Sequence, residues 1–409
     1  MSLEARIGRA TAELEALCQS LVRTPSENPP GDTTALAAQI EAFLAALPGV
    51  KVQRVVAKDK AVNLVARLPF AHPGRRLLMN GHLDTFPAGD GWTRERFGGE
   101  IESGRLYGRG ACDMKAGLAA MLMTAKLLAE EPAGLAGELV LAFVSDEETG
   151  GIWGTQYLLA NIPEAGGDAM LSADAGSPNV VRFGEKGQLW IEVTARGKSN
   201  HGAHAHLGEN AIVLLLRALD VLRTLESLPV PIPGDVLAAM REAKPLSEAI
   251  SGAGEFDTLT HVTVNLGTIS GGIAVNIIPD LATARADIRF PPGLTLKEIL
   301  AQIETRLGSL RGIAWKVLSS HEPNVTPPSE EIVRLVLAHA RAVTGAPVVA
   351  NMRPGFSDSR FYRAAGIPSV VYGPAPNNMG GADEHVLLSD LRAAFAVHAL
   401  VAAAFLAGP

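Results

Sequence analysis

Short apolar runs that stop at histidine or at carboxylates constrain this chain more than any other feature. Runs at 50–57, 61–68, 76–80 and 138–144 have the length and composition of β-strands. Between and around them, apolar residues recur at helical spacing. They do so over 3–23 (Leu14, Leu17, Leu21), over 33–47 before Pro48-Gly49, and over Lys115 to Glu130. Strands alternating with helices predict an α/β sheet covered on both faces.

After Asp174 the texture changes. Residues 188–196 alternate like a strand with one wet face, and a helix is predicted over 208–227. A polar, Pro/Gly-rich stretch follows at 229–256. Strands at 258–269 and 281–289, a helix at 295–308 and a strand at 313–319 complete a β-α-β-β-α-β order, the split βαβ arrangement. From His321 the α/β texture returns, with helices near 329–344 and 389–407 and a strand at 368–372. The chain therefore reads as an α/β domain with a mixed central sheet flanked by helices, residues 1–185 and 321–409. A smaller α+β, ferredoxin-like domain interrupts it at 186–320. A length of 409 residues agrees with two domains rather than one.

Composition narrows the function classes. Hydrophobic residues make up 47% and charged residues 19%, which excludes intrinsic disorder. A net charge of −7 argues against nucleic acid as a partner, since phosphate contacts need a basic surface. Two cysteines, Cys18 and Cys112, cannot build a disulfide framework or a thiolate metal site. Glu4, Glu13 and Glu15 interrupt any signal-peptide core. The longest uncharged apolar stretch, Ala393 to Gly408, falls short of a membrane span of about 20 residues. The expectation is a cytoplasmic protein without a membrane partner.

Chemistry concentrates where strands should end. In Asn80-Gly-His-Leu-Asp-Thr85, His82 and Asp84 are two apart and so face the same way on a strand. A carboxylate there can hold the second nitrogen of a metal-bound imidazole; taken alone, His-x-Asp fits a surface turn equally well. Asp113, in Tyr107-Gly-Arg-Gly-Ala-Cys-Asp-Met-Lys115, sits near a helix start, where a plain N-cap is the simpler reading. Asp146, Glu147 and Glu148 follow the 138–144 run directly. Three consecutive carboxylates at that edge are either solvated or bound to cations, and the edge is where ligands bind in open α/β sheets. Asp174 and the loop Gly380-Gly-Ala-Asp-Glu-His-Val386 add further N and O donors without a thiolate, a set that suits Zn²⁺, Mn²⁺ or Co²⁺.

Taken together, Gly-His-Leu-Asp-Thr (81–85), Gly-Arg-Gly-x-x-Asp-Met-Lys (108–115), Asp-Glu-Glu-Thr-Gly (146–150) and Asp-Glu-His-Val (383–386) resemble the M20 metallopeptidases. That family includes acetylornithine deacetylase, succinyl-diaminopimelate desuccinylase and carboxypeptidase G2-like enzymes. The motifs occur in the family's order along nearly the whole chain. The resemblance implies that His82, Asp113, Glu148, Asp174 and His385 hold two divalent metal ions, zinc first and Co²⁺ or Mn²⁺ as alternatives. Asp113 would bridge the two ions, Asp84 would orient His82, and Glu147 would be the general base. Two ions about 3.5–4 Å apart clamp a water as a bridging hydroxide and polarise a carbonyl, and Glu147 would take the water's proton and pass it to the leaving nitrogen. This chain departs from the family at Asp174-Ala175, where Glu-Pro is common, at Asp383, where Asn is common, and at Asn200, where Ala is common.

The inserted domain carries His201, His204 and His206 in Gly197-Lys-Ser-Asn-His-Gly-Ala-His-Ala-His-Leu-Gly208. The run is open to two readings on its own, a separate metal site or a solvated loop. The resemblance gives His201 a third, the lid-domain histidine that stabilises the tetrahedral oxyanion, and leaves His204 and His206 without a role. It also implies a homodimer formed through the lid/dimerisation domain. The resemblance makes Asn276, Gly355 and Ser357 candidate substrate contacts, with Arg353 a weaker one; Arg289, at a strand end, could bind a substrate carboxylate or make a surface salt bridge. The expected reaction is hydrolysis of the amide C–N bond of an N-acyl amino acid or small peptide-like substrate bearing a carboxylate. An aminohydrolase, amidase or carbamoylase could use the same site, and so could an enzyme with a single metal. A non-catalytic binding protein should have lost the base or a ligand, and neither is missing.

Overall fold

The computed structural model describes residues 1–408, which form two compact units. The first comprises Met1–Phe183, Thr326–Asn351 and the chain from Phe356 onward; the second comprises Gly184–Val325 with Met352–Gly355.

In the first unit the central sheet runs Lys51–Lys58, Ala61–Pro69, Ala136–Val144, His72–His82, Ala169–Ser172, Ser369–Val371 and Val180–Glu185. The middle of it, from Ala136–Val144 to Ser369–Val371, is parallel, and its flanks are antiparallel. It is thus the mixed sheet the sequence predicts. After His72–His82 the chain places Ala136–Val144 on one side of that strand and Ala169–Ser172 on the other. Such a reversal opens a crevice beyond the carboxyl ends of the strands. His82, the 145–149 segment and Asp174 all follow these ends.

The helix Ala116–Glu130 is buried almost all round, as its run of Ala, Leu and Met requires. A Cβ on Gly117 would lie 2.3 Å from the Ala173 carbonyl oxygen, so only glycine lets this helix approach the strand end that leads to Asp174. The predicted helix over 3–23 is two helices, Leu3–Arg9 and Thr11–Val22. The C-terminal helix, Leu388–Phe405, is long and apolar enough for a membrane by length and composition alone, and 61% of it is buried inside the protein.

The second unit holds an antiparallel sheet in the order Thr263–Gly271, Leu281–Phe290, Gly187–Arg196, Ile313–His321. With helices Ala211–Arg223 and Leu296–Leu307 it has the split βαβ order. Leu189, Ile191, Val193 and Ala195 alternate inward and meet Leu215, Leu219 and Leu222 of one helix and Ile299, Ile303 and Leu307 of the other. The stretch 229–256, read from sequence as polar and Pro/Gly-rich with no element assigned, contains the helix Gly234–Ser251 and the start of Glu255–Thr260. Val236, Met240, Ala243 and Ser247 form its buried face at helical spacing, despite Pro245 within it. Lys186 anchors this region: its buried Nζ donates to the carbonyls of Thr258 (2.6 Å) and His261 (2.8 Å) and to Thr263 Oγ1 (3.3 Å), and burial pushes it down to about 7.

His398, on the C-terminal helix, is fully buried. Its Nε2 lies 2.8 Å from the Tyr372 carbonyl and its Nδ1 has no partner among the described residues. Burial pushes the imidazole down to about 4 from its usual 6.5. The unfolded chain therefore binds a proton that the native state refuses between these values. The share of stability that this imidazole contributes is fully present above pH 6.5 and should fall by roughly 3 kcal/mol as pH drops to 4. Urea unfolding across that window checks this, and His398→Gln, which keeps a donor for Tyr372, should flatten that part of the pH dependence.

Candidate metal centre

Each strand end delivers one piece of the centre. His82 closes the strand His72–His82 and is buried. Its Nδ1 lies 2.8 Å from the Asp84 main-chain carbonyl, so in the neutral ring the proton sits on Nδ1 and the Nε2 lone pair is the one a ligand could use. Nε2 lies 2.9 Å from Asp113 Oδ1 and 4.0 Å from Asp174 Oδ1. His82, Asp113 and Asp174 offer ligand atoms that all lie within 4.8 Å of one another. Hydrogen bonds to Asp113 and Asp84 raise the imidazole well above its usual range against the opposing effect of burial.

The orienting bond to His82 thus comes from Asp84's carbonyl, while its carboxylate Oδ1 stands 3.5 Å from Nδ1. The carboxylate itself accepts from the main-chain N–H groups of Glu147 and Glu148, both at 3.2 Å, and from Asn28 Nδ2 at 2.9 Å. Asn28 also donates to Thr149 Oγ1 at 2.9 Å. Asp84 therefore clamps the 147–149 turn beneath His82, and Asn28 clamps Asp84. Sequence reasoning passed over Asn28, because nothing in a Pro-Pro-Gly turn signals contact with residues so distant along the chain.

Glu147 is buried with its carboxylate 3.9 Å from the Arg360 guanidinium. Burial raises it well above the usual carboxylate range, Asp358 and Asp174 add to the rise, and His82 and Arg360 oppose it. Glu148 is pushed up to about 10 by burial and by Asp113, and its Oε1 is buried without a hydrogen-bond partner among the described residues. Asp358, also buried, rises to about 6. So many carboxylates removed from water are costly unless cations compensate them. A buried set of imidazole nitrogen and carboxylate oxygens, with one oxygen left unpartnered, fits a divalent-metal centre.

His385 arrives from the far end of the chain. The strand His385–Leu387 pairs with Arg105–Tyr107, setting His385 opposite Tyr107 with ring centroids 5.0 Å apart. Its Nδ1 lies 3.0 Å from the Asp383 carbonyl, the arrangement seen at His82. Neither His385 nor Glu148 belongs to the 4.8 Å cluster. A buried ion pair ties this segment to the Asp113 loop. Arg109 and Glu384 are each 1% exposed, and Arg109 bonds Glu384 Oε2 while donating to the carbonyls of Ala88, Gly380 and Gly381. Glu384 Oε1 accepts from the N–H groups of Cys112 (3.1 Å) and Asp113 (3.3 Å). Gly110, at φ +79°, completes the loop where a Cβ would lie 2.5 Å from Thr85 Cγ2.

Other predicted residues fall elsewhere. Ser357 is buried in the first unit, its carbonyl accepting from Arg360 at 3.0 Å, whereas Gly355 and Arg353 belong to the second. The second unit also brings His201 and Asn276 together: Asn200–His201 pairs with Ile277–Ile278, and Gly202 N–H donates to the Asn276 carbonyl at 2.7 Å. Arg289 grips Asp287 with two bonds, at 2.7 and 3.0 Å.

Known proteins resemble this one along its length. Residues 78–404 match peptidase family M20/M25/M40. Succinyl-diaminopimelate desuccinylases of Rhodospirillum centenum and Methylobacterium radiotolerans are 32% and 31% identical, over 96% of this chain and 97% and 96% of theirs. Among solved structures, an M20 family metallo-carboxypeptidase of Sulfolobus solfataricus superposes with a TM-score of 0.77 at 18% identity, covering 95% of this chain and 98% of its own. A dinuclear metal-binding M20 peptidase of Bacillus subtilis does so with 0.65 at 14% identity, covering 98% and 99%. The crevice at the parallel strand ends, its buried His/Asp/Asp cluster and these matches agree, and the chain belongs to peptidase family M20/M25/M40, as a metal-dependent hydrolase of amide C–N bonds.

Proposed function

We propose that the enzyme removes the acyl group from an N-acyl amino acid or a small peptide-like substrate that carries a carboxylate. The buried His82–Asp113–Asp174 cluster with Glu147 close by carries this reading. Asp113 would bridge two ions, zinc first and Co²⁺ or Mn²⁺ as alternatives, with His82 and Asp174 on one and Glu148 and His385 on the other. When bound, the ions supply Lewis-acid polarisation of the amide carbonyl and a water of lowered pKa. Glu147 accepts the proton of the attacking water and returns it to the departing nitrogen. Asp84 holds the Glu147 and Glu148 main chain and, by its carbonyl, the His82 ring.

The His201 Nδ1 accepts from the Ala203 N–H at 3.1 Å, so the neutral ring carries its proton on Nε2. That tautomer is a donor, which supports His201 as the group that stabilises the oxyanion. Asn276, Gly355 and Ser357 are the proposed substrate contacts; Arg289 would have to surrender Asp287 to bind a carboxylate. The inserted domain, 186–320, would serve as lid and dimerisation surface for a homodimer. Exposed Val213, Leu216, Ile269, Ile273 and Val275 support that surface. Both cysteines are buried and free, which fits the cytoplasm.

Glu147→Gln should lower kcat by about 10²–10⁴ while metal content stays unchanged; near-normal turnover would remove Glu147 as the base. Asp113→Asn should instead lose metal, read by elemental analysis. Full chelation should abolish release of free amine from N-succinyl and N-acetyl amino acids, and Zn²⁺, Co²⁺ or Mn²⁺ should restore it. For His201→Ala, kcat should fall about 10²–10³-fold with metal content kept.

A further inference from the structure

Of the three histidines clustered in the second unit, His204 and His206 have no use in the centre described above. The segment that carries them is a closed loop. Lys198 and Glu209 exchange main-chain hydrogen bonds at 2.8 and 2.9 Å across its neck, and His201 is paired to Ile277. Residues 201–207 are all exposed. His204 departs from helical geometry (φ −108°, ψ 49°) inside the 3₁₀ turn Gly202–Leu207. The ring centroids of His201 and His204 are 6.0 Å apart, and those of His204 and His206 are 6.2 Å apart. His204 and His206 make no hydrogen bond or ion pair with any described residue.

Two imidazoles on one tetrahedral ion, with metal–nitrogen bonds of about 2.0–2.1 Å, have centroids about 5 Å apart. Each of the two neighbouring pairs, His201 with His204 and His204 with His206, therefore needs to close by roughly 1 Å, and rotamer changes of these exposed side chains would have to bring the three nitrogens onto one ion. Crowded imidazoles repel one another when protonated, and a shared cation converts that repulsion into ligation. We propose that His201, His204 and His206 form a second metal site, which takes a borderline divalent ion such as Zn²⁺ or Ni²⁺. All-nitrogen ligation distinguishes it from the carboxylate-rich centre of the first unit.

Binding there has a consequence that rests on the oxyanion reading of His201. For Nε2 to ligate, the proton must move from Nε2 to Nδ1, and the bond from the Ala203 N–H is lost. Holding the ion and donating to an oxyanion are then mutually exclusive, so excess metal inhibits.

The test is equilibrium dialysis of the zinc-loaded enzyme against Ni²⁺, with zinc and nickel quantified in the same samples. One nickel per chain beyond the retained zinc is expected, lost in His204→Ala/His206→Ala and bound more weakly in His201→Ala. No additional nickel, or nickel undiminished in the double variant, overturns the site. Undiminished affinity in His201→Ala overturns the three-ligand form. Turnover measured alongside keeps the two readings apart. The double variant should match the parent in zinc alone and resist inhibition by nickel. If His201→Ala loses nickel affinity but keeps its kcat, the metal site stands and the oxyanion role falls.

Discussion

The ion pair between Arg109 and Glu384 is the contact on which the rest of the centre depends. It joins segments 275 residues apart in the chain, and both side chains are withdrawn from water. Through its two ends it fixes the carbonyls of Ala88, Gly380 and Gly381 and the N–H groups of Cys112 and Asp113. Asp113 and His385 are thereby held by one electrostatic unit, although they come from opposite ends of the first unit's sequence. Such a pair gains little over an apolar replacement of both members. Removal of one partner costs about 3–5 kcal/mol, because the other charge is left buried and alone. Its contribution is geometric: it places a carboxylate and an imidazole without using a side chain that a metal would need.

The sheet supplies the other half of the arrangement. Parallel strands end together, so residues that follow them converge whatever their separation along the chain. Here that edge collects Asp84, Glu147, Glu148 and Asp174, and the loop before the helix Ala116–Glu130 adds Asp113, in a space largely closed to water. Burial drives Glu147 and Glu148 toward their neutral forms. Asp84 escapes idleness by turning its carboxylate to main-chain donors. The edge is thus electrostatically unfinished, and divalent cations are what such a set of oxygens is suited to hold.

Much of this was legible in the sequence. Strand ends and a glycine-bounded loop marked His82, Asp113 and Asp174 as candidates, the family resemblance alone made them expected ligands, and the structure gathers the three. The α/β order and the split βαβ insertion follow from periodicity that the structure keeps. What escaped was long-range or masked. Arg109 and Glu384 lie in recognised motifs, but their pairing joins two loops that no local pattern connects. The helix Gly234–Ser251 was hidden by Pro245 and by its flanking glycines, although Val236, Met240 and Ala243 keep the helical spacing. Arg289 stood in the sequence as a substrate contact or a surface salt bridge, and in the structure it grips Asp287 two residues back on its strand.

The histidines show how one residue type is divided between two tasks by its other nitrogen. At His82 and His385, Nδ1 faces a main-chain carbonyl from a residue two positions away, so in the neutral ring the proton sits on Nδ1 and Nε2 offers a lone pair. At His201, Nδ1 faces a main-chain N–H, so the proton sits on Nε2. The first arrangement suits a ligand and the second suits a donor. Neither depends on the sequence neighbours that identify a motif; both depend on whether the chain turns a carbonyl or an amide toward the ring. A cation bound at the histidine loop would have to reverse that choice at His201, and for this reason ligation there competes with hydrogen-bond donation instead of adding to it.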